Sequence, residues 1–296
     1  MTLARVGIIF SVLVGVATNA AAQTFTENNV IAIDYNGTTR NMTGGGDVNN
    51  APVISYMNYG VGGWGSSMVF DATGTYAYAV SADFNGVKRF DAAGNWTDFA
   101  TFDSSCYPTG ITRTNDGTIW AGCTSQPYIV NVTAGGLVSV YGGINTPGSS
   151  SADFLTRDGN GDFLYTNWNT YAVQRLTYPG LVLSDIYYSY AYDIQTDPST
   201  GDIYIIDGST MYRSQSGGAF SPFAYNSYGY TFTIGGDGTI LQTDGSTVWN
   251  LTGANGGSGP WLQYANNKNG YGIAFVETDY AGSGGGGGST FAEGDL

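Results

Sequence analysis

Four oxygen-bearing side chains recur at equivalent places in this sequence. Asp83, Asn167, Asp207 and Asp244 lie in the similar segments ADFNG, TNWNT, IDGST and TDGST. Carboxylate and amide oxygens are the ligands that Ca²⁺ prefers. These residues are therefore our candidates for a metal site, and Ca²⁺ is the only cofactor that the sequence indicates. Because Asp and Asn also cap tight turns, a turn-capping role is the alternative interpretation.

Few residues of this chain could act in catalysis. No histidine occurs, which excludes a Ser-His-Asp triad, histidine-based proton transfer and a histidine-ligated zinc. Glycosidase chemistry needs two facing carboxylates, and no pair of Asp residues has a diagnostic spacing. We therefore predict no catalytic residues and expect a protein that is not an enzyme.

Aromatic residues recur just ahead of the predicted innermost strands. Five of the six repeat units have an aromatic residue at this position, and the remaining unit has Ser151. The five aromatic residues are Trp64, Tyr107, Tyr190, Tyr228 and Tyr271. Further tyrosines lie in or beside the same loops: Tyr187, Tyr188, Tyr192, Tyr225, Tyr230 and Tyr264. Such rings, among Ser, Gly and Asn, are typical of binding loops. We predict a ligand-binding surface, with packing between neighbouring sheets as the alternative.

The composition limits where the protein works and what it binds. Residues 1–22 have the pattern of a secretory signal peptide, with Arg5 before an apolar run and small residues Ala20–Ala22 at its end. No second apolar run could insert in a membrane. The net charge of −14 disfavours nucleic acid as a partner. We expect a secreted protein, either extracellular or periplasmic.

The chain has two cysteines, Cys106 and Cys123. An even number of cysteines in an exported chain favours a disulfide, and two buried free thiols are the alternative. Cys106 precedes a predicted innermost strand and Cys123 ends the next strand. The bridge would therefore join two loops on one face, beside Tyr107.

A repeat of about forty residues organises the chain. Turn glycines lie between short alternating strands at Gly74, Gly117, Gly161, Gly201 and Gly238. Four short strands per repeat of this length indicate propeller blades. Five units are whole, and a partial sixth begins at Gly270. Its missing outer strands are available in residues 28–44, so that both ends of the chain would share one blade.

These observations predict the fold and the domain boundaries. We expect an all-β, six-bladed β-propeller with four-stranded blades, closed by N-terminal strands joining the last blade; five or seven blades are the alternatives. The propeller would span residues 23–281. The Gly-rich residues 282–296 have a composition typical of a disordered tail.

Two segments resemble a known repeat. PTGITRTNDGTIWAG (Pro108–Gly122) and YAVSADFNGVKRFD (Tyr78–Asp91) resemble the two halves of the NHL repeat. The wider pattern is similar to the six-bladed SMP-30/gluconolactonase-like proteins and the streptogramin lyases. That resemblance implies a Glu/Asn/Asp metal site in the lactonases, whose glutamate has no match here. It implies a histidine base in the lyases, which this chain lacks.

Three functions fit the sequence. The main hypothesis is a secreted, non-catalytic binding or adhesion module that recognises a glycan or an extracellular protein through its aromatic face. The second is a metal-dependent lactone or ester hydrolase of the SMP-30-like type. The third is a surface or matrix protein that associates with copies of itself.

Overall fold

The computed structural model describes residues 23–34, 36–57, 67–102, 106–114, 116–125, 128–143, 151–266 and 272–277. Its regular elements are strands and two short 3₁₀ helices, Val48–Asn50 and Gln215–Gly217. The strands are β1 (Val30–Ile33), β2 (Thr38–Asn41), β3 (Gly46–Asp47), β4 (Val53–Tyr56), β5 (Ser67–Phe70), β6 (Tyr76–Ser81), β7 (Phe84–Asp91), β8 (Trp96–Thr101), β9 (Pro108–Arg113), β10 (Ile119–Cys123), β11 (Tyr128–Val132), β12 (Val138–Gly143), β13 (Leu155–Arg157), β14 (Phe163–Asn167), β15 (Ala172–Leu176), β16 (Leu183–Tyr187), β17 (Asp193–Thr196), β18 (Ile203–Asp207), β19 (Thr210–Ser214), β20 (Phe220–Tyr225), β21 (Thr231–Ile234), β22 (Ile240–Thr243), β23 (Val248–Asn250), β24 (Leu262–Asn266) and β25 (Gly272–Phe275). Within those ranges, no helix is long and apolar enough to cross a membrane.

The strands form six sheets arranged as the blades of a propeller. Five blades are consecutive antiparallel sheets, β5–β8, β9–β12, β13–β16, β17–β20 and β21–β24, and the sixth has the order β25-β1-β2-β4. The innermost strands β5, β9, β13, β17, β21 and β25 contact each other in turn and close the ring. The predicted six-bladed, all-β fold is confirmed.

The repeated glycines mark the hairpin that joins the first and second strands of each consecutive blade. All five have a positive φ, which only glycine adopts readily: Gly74 (64°), Gly117 (83°), Gly161 (85°), Gly201 (73°) and Gly238 (80°). An Asp side chain completes several of these turns. In the turn after β5, Asp71 Oδ1 accepts from the backbone N–H groups of Thr73 (3.2 Å) and Thr75 (2.8 Å).

The sixth blade joins the two ends of the chain. β1 pairs antiparallel with β25, from Val30 opposite Phe275 to Ile33 opposite Gly272. This confirms the predicted closure. The predicted segment 28–44 supplies only β1 and β2, however, and the outermost strand is β4, further along the chain.

A short crossover separates β2 from β4. Gly44, Gly45 and Gly46 all have positive φ (91°, 74° and 98°), and they carry the chain to the neighbouring blade. There β3 pairs parallel with β24 as a fifth strand. This pairing was not evident from the sequence because its two residues carry no strand pattern.

The hydrophobic core lies between neighbouring blades. One cluster contains Trp120 and Ile129 of one blade with Phe163 and Tyr165 of the next, and similar clusters separate the other blades. The ring has two faces. The upper face carries the loops that lead into each innermost strand and those that follow each second strand. The lower face carries the hairpins between first and second strands.

A candidate ligand-binding site on the upper face

Five aromatic rings form a continuous row on the upper face, which we call the aromatic arc. Trp168 and Tyr171 lie in the loop between β14 and β15, Tyr190 and Tyr192 precede β17, and Tyr230 precedes β21. Ring centroids are 5.9 Å apart for Trp168 and Tyr171, 4.5 Å for Trp168 and Tyr190, 5.5 Å for Tyr190 and Tyr192, and 6.2 Å for Tyr192 and Tyr230. The arc thus crosses three blades.

The two ends of the arc are exposed and its middle is covered. Trp168 is 48% exposed, Tyr171 59% and Tyr230 41%, whereas Tyr190 is only 7% exposed. Tyr190 packs edge-on against Trp168, with an angle of 82° between the ring planes. The buried ring therefore supports rings that offer apolar surface to solvent.

Two exposed tyrosines of this face have a strained backbone. Tyr171 has a φ of 51° and Tyr107 a φ of 47°, a region that bulky side chains rarely adopt. The N–H of Tyr107 donates to Asn85 Oδ1 (3.0 Å), and its carbonyl accepts from the N–H of Thr124 (3.3 Å). Such strain persists only where surrounding contacts hold it, and it is concentrated at functional sites.

Asp153 lies buried beneath one end of the arc. Its Oδ2 accepts from the Ser151 hydroxyl and from the Trp168 N–H, both at 3.1 Å, so it fixes the loop that carries Trp168. Burial raises the pKa of Asp153 to about 6, although Thr124, Ser151 and the Trp168 N–H all favour the charged form. Ser151 stands where the other repeat units carry an aromatic ring. Its hydroxyl donates a hydrogen bond to Asp153 instead.

Asp193 connects two blades beneath the middle of the arc. Its Oδ2 accepts from the Thr231 hydroxyl (2.6 Å) and the Phe232 N–H (3.0 Å) of the next blade, and its Oδ1 accepts from the Ile194 N–H (2.7 Å). Burial raises the pKa of Asp193 to about 7 against these donors. No cation contributes to this effect.

The Tyr190 hydroxyl lies near both buried carboxylates. Burial raises the pKa of Tyr190 first, and the charges of Asp153, Tyr192 and Asp193 raise it further, so the hydroxyl stays protonated. Among the described residues it has no hydrogen-bond partner.

The predicted contact residues are only partly brought together. Tyr190 is inside the arc, while Tyr107 (45% exposed) and Tyr228 (66% exposed) lie on other loops of the same face. Trp64 and Tyr271 lie outside the described residues. Direct contact by these five residues stays a prediction, and for Tyr190 the structure shows support of neighbouring rings.

The four predicted metal ligands lie at the end of the second strand or just after it, in four different blades. Asn167 is buried and donates to Gln174 Oε1 (2.9 Å), Asp207 accepts from the Tyr187 hydroxyl (2.9 Å), and Asp244 accepts from Trp249 Nε1 (3.0 Å). Asp83 is exposed. Across the described part of the chain, no three Cys, Asp or Glu side chains converge as metal ligands.

The predicted disulfide joins Cys106 to Cys123, with the two Cα atoms 4.6 Å apart. Both cysteines are fully buried. The bridge ties the loop before β9 to the end of β10, directly beside the strained backbone of Tyr107. It therefore helps to hold that ring on the upper face.

The central channel is narrow and lined by hydroxyl groups. Thr112, Thr156, Thr196 and Thr233 line a cavity of about 50 Å³, with Glu277 at its lower end. Burial raises the pKa of Glu277 to about 8, and the charge of Glu27 raises it further. A space of this size admits water or an ion but no organic substrate.

Trp168, Tyr171, Asp153 and Asp193 were not identified from the sequence. Trp168 and Tyr171 lie in a loop after a second strand, whereas the aromatic residues that recur in the sequence lie in the loops before the innermost strands. The signal was present, since WNTY places two aromatics at the tip of a hairpin. The two aspartates carried no signal, because their burial depends on contacts with residues distant in the sequence.

No protein-family model matches the chain, and no curated protein matches it. Solved structures do match. A chain of a nidogen/laminin complex has a TM-score of 0.67 at 14% identity, covering 84% of this chain and 98% of that one. A streptogramin B lyase has a TM-score of 0.59 at 15% identity, covering 86% and 89%. A gluconolactonase from Xanthomonas campestris has a TM-score of 0.59 at 13% identity, covering 84% and 88%.

These likenesses span most of each chain, but the identities are too low to transfer an activity. One fold serves many unrelated functions, and the three proteins themselves include a lyase, a gluconolactonase and a member of a nidogen/laminin complex. The chain therefore has the six-bladed β-propeller architecture that gluconolactonase-like and lyase propellers share.

Proposed function

We propose that the protein is a secreted, non-catalytic binding module that recognises a glycan through the aromatic arc. The observation that carries this proposal is the pair Trp168 and Tyr171, whose rings are about half exposed and supported by a buried ring. Flat aromatic faces stack on sugar rings while neighbouring polar groups bond to hydroxyls. The tip residues Asn169 and Thr170 between the two rings are exposed and supply such groups.

Binding without catalysis is supported by three observations. The chain has no histidine, the channel is too small for an organic substrate, and Asp207 and Asp244 on the upper face already accept hydrogen bonds from Tyr187, Ser246 and Trp249. A metal-dependent hydrolase would require convergent ligands. Loss of a hydrolytic activity in the presence of a chelator would contradict a purely binding role.

An exported location is supported by the disulfide, because disulfides persist in oxidising compartments. The signal-like pattern of residues 1–22 agrees with this. Cleavage after Ala22, detected by mass spectrometry of the secreted protein, would test the location directly.

The test of the proposed function is a glycan array probed with the labelled protein. We expect binding by the wild type and its loss in the Trp168→Ala/Tyr171→Ala variant. Tyr56→Ala is the matched control, since Tyr56 is 68% exposed but lies on the outermost strand β4, away from the arc. Equal loss in both variants, or no binding by the wild type, would contradict the proposal.

An extracellular protein is a second candidate ligand. The chain of the nidogen/laminin complex shares the fold over nearly its whole length, and exposed aromatic rings are also enriched in protein interfaces. Capture of a purified extracellular protein that is lost in the same double variant would favour this candidate. Concentration-dependent assembly of the purified protein would instead indicate self-association.

A further inference from the structure

We infer that the glycan bound by the aromatic arc carries free amino groups. This inference rests on the proposed function and names the class of sugar. It follows from the juxtaposition of exposed aromatic rings with unpaired aspartates on one face.

The described basic residues leave the upper face without a positive charge. Of the nine Lys and Arg residues, Arg5 and Lys268 lie outside the described residues, and the others all lie within strands. They are Arg40, Lys88, Arg89, Arg113, Arg157, Arg175 and Arg213. Three form ion pairs with aspartates, and none of these pairs involves a loop of the upper face.

Acidic side chains do lie on that face, and no described cation accompanies them there. Asp34, Asp83, Asp207 and Asp244 each lie at the end of the second strand of a different blade or in the loop after it. Their recorded partners are neutral donors such as the Asn36 N–H, the Tyr187 hydroxyl and Trp249 Nε1. The negative charge of these loops is therefore not neutralised within the described chain, and it favours a cationic ligand.

The layer beneath the rings has the same polarity. Asp153 and Asp193 are 1% and 3% exposed, and the partnerless Tyr190 hydroxyl lies near both. Tyr190 is more than nine-tenths buried and belongs to the arc itself. The two buried carboxylates add to the negative charge beneath the rings, which favours a positively charged ligand group.

The rings themselves favour a cation as well. The face of an aromatic ring attracts an ammonium group, and recognition of this kind strengthens as water is excluded. A single ammonium ion would be held by rings that converge on one point. Here the rings extend in a row across three blades and are exposed at both ends, so a chain of sugar units with repeated amino groups fits better than a small amine.

The test compares two oligosaccharides that differ only in acetylation. Hexamers of β-1,4-linked glucosamine and of N-acetylglucosamine have the same ring and linkage, but only the first carries ammonium groups. We expect the glucosamine hexamer to bind about tenfold more tightly by calorimetry, and the difference to shrink when salt is raised, because salt screens exposed charges.

A charge-matched pair of variants locates the effect. Asp207→Asn/Asp244→Asn removes two charges from the upper face and keeps the oxygen that accepts from Tyr187 and Trp249. Asp116→Asn/Asp237→Asn removes two charges from exposed turns of the lower face. We expect the first variant to lose about threefold to tenfold in affinity for the glucosamine hexamer and the second to bind like wild type.

The outcomes separate this inference from the proposed function. Equal or tighter binding of the acetylated hexamer, with loss in Trp168→Ala/Tyr171→Ala, would overturn the amino-sugar inference and leave glycan binding in place. Equal effects of the two charge-matched variants would also overturn it. Absence of binding to every glycan would overturn both.

Discussion

The two faces of the propeller differ in how some of their buried acids are paired. On the lower side, two buried acids form ion pairs: Asp202 pairs with Arg213, and Asp158 pairs with Arg175 at 3.0 Å. On the upper side, Asp153 and Asp193 are as deeply buried, yet their hydrogen-bond partners are hydroxyls and backbone N–H groups. The exposed aromatic rings of the arc are also on the upper side.

Under the proposed function, this difference fits a lower side that holds the blades together and an upper side that meets a ligand. A carboxylate in an ion pair is already neutralised by a cation of the protein, whereas a carboxylate without a cation beside it can attract a positively charged group from outside. Both arrangements contribute to stability, but through different bonds. Substitutions on each side should therefore have separable effects.

The largest expected effect comes from the upper side. Asp193→Ala would leave the Thr231 hydroxyl and the Phe232 N–H without their acceptor between two blades. We expect a loss of about 3 kcal/mol in the free energy of unfolding, measured by urea denaturation. Asp193→Asn keeps one acceptor oxygen and should lose less. If the alanine variant unfolded like wild type, the carboxylate would not be a link between blades.

The second-largest loss of stability is expected on the lower side, at the ion pair between Arg213 and Asp202. Arg213 Nε donates to Asp202 Oδ2 (2.9 Å), and Nη2 contacts the same oxygen. Arg213→Ala would leave a buried carboxylate unpaired, with an expected loss of about 2 kcal/mol in unfolding free energy.

The control for this pair is the double variant Arg213→Ala/Asp202→Asn. It removes the carboxylate charge as well, so it should be more stable than Arg213→Ala alone. Equal stability of the single and double variants would show that the charge of Asp202 does not require Arg213 as its partner.

The pH dependence of stability follows from the unpaired acids. Burial raises the pKa of Asp153 to about 6 and that of Asp193 to about 7, above the usual value for Asp. Groups with raised pKa contribute stability at low pH that is lost as the pH rises through the folded-state pKa. We expect the unfolding free energy to decrease by at least about 2 kcal/mol from about pH 4 to about pH 8.

Glu277 acts in the same direction, since burial raises its pKa to about 8. Asp193→Asn cannot ionise and should show a smaller decrease over the same range, when both proteins are followed by denaturant titration at each pH. A rise in stability across this range would show that the three acids are solvated in the folded protein.

The smallest effect is expected at Asp207, an acid of the upper face that is only partly buried. Asp207→Asn keeps an oxygen that can accept from the Tyr187 hydroxyl, so its unfolding free energy should stay within about 0.5 kcal/mol of wild type. The same substitution belongs to the variant with weakened glucosamine binding. Unchanged stability with altered binding would separate the two roles of the upper face.

The architecture was predictable because each repeat contains its own local signal. Gly74, Gly117, Gly161 and Gly201 mark turns that require positive φ, and the alternating residues around them fix which side of each strand is buried. Ring closure was predictable as well, because a blade that lacks strands at one end needs them from the other. Cys106 and Cys123 were paired correctly because no other cysteine competes.

The site was less predictable because it depends on contacts between blades. Asp153 is buried under a loop of its own blade, and Asp193 bonds to Thr231 and Phe232 of the next. Nothing in the local sequence distinguishes them from Asp83, which is exposed. Aromatic residues have the same ambiguity: Tyr190 is covered and Tyr228 is not, although both precede an innermost strand.

The pairing of β1 with β25 has a consequence for how the protein is made. During synthesis, the sheet that contains β1 cannot be completed until β25, its innermost strand, has been made, and β25 follows every other blade in the sequence. Meanwhile the backbone edge of β1 and the apolar side chains of Ile31 and Ile33 have no cover, and open edges of this kind promote aggregation. Export of an unfolded chain would postpone folding until the closing strand is present.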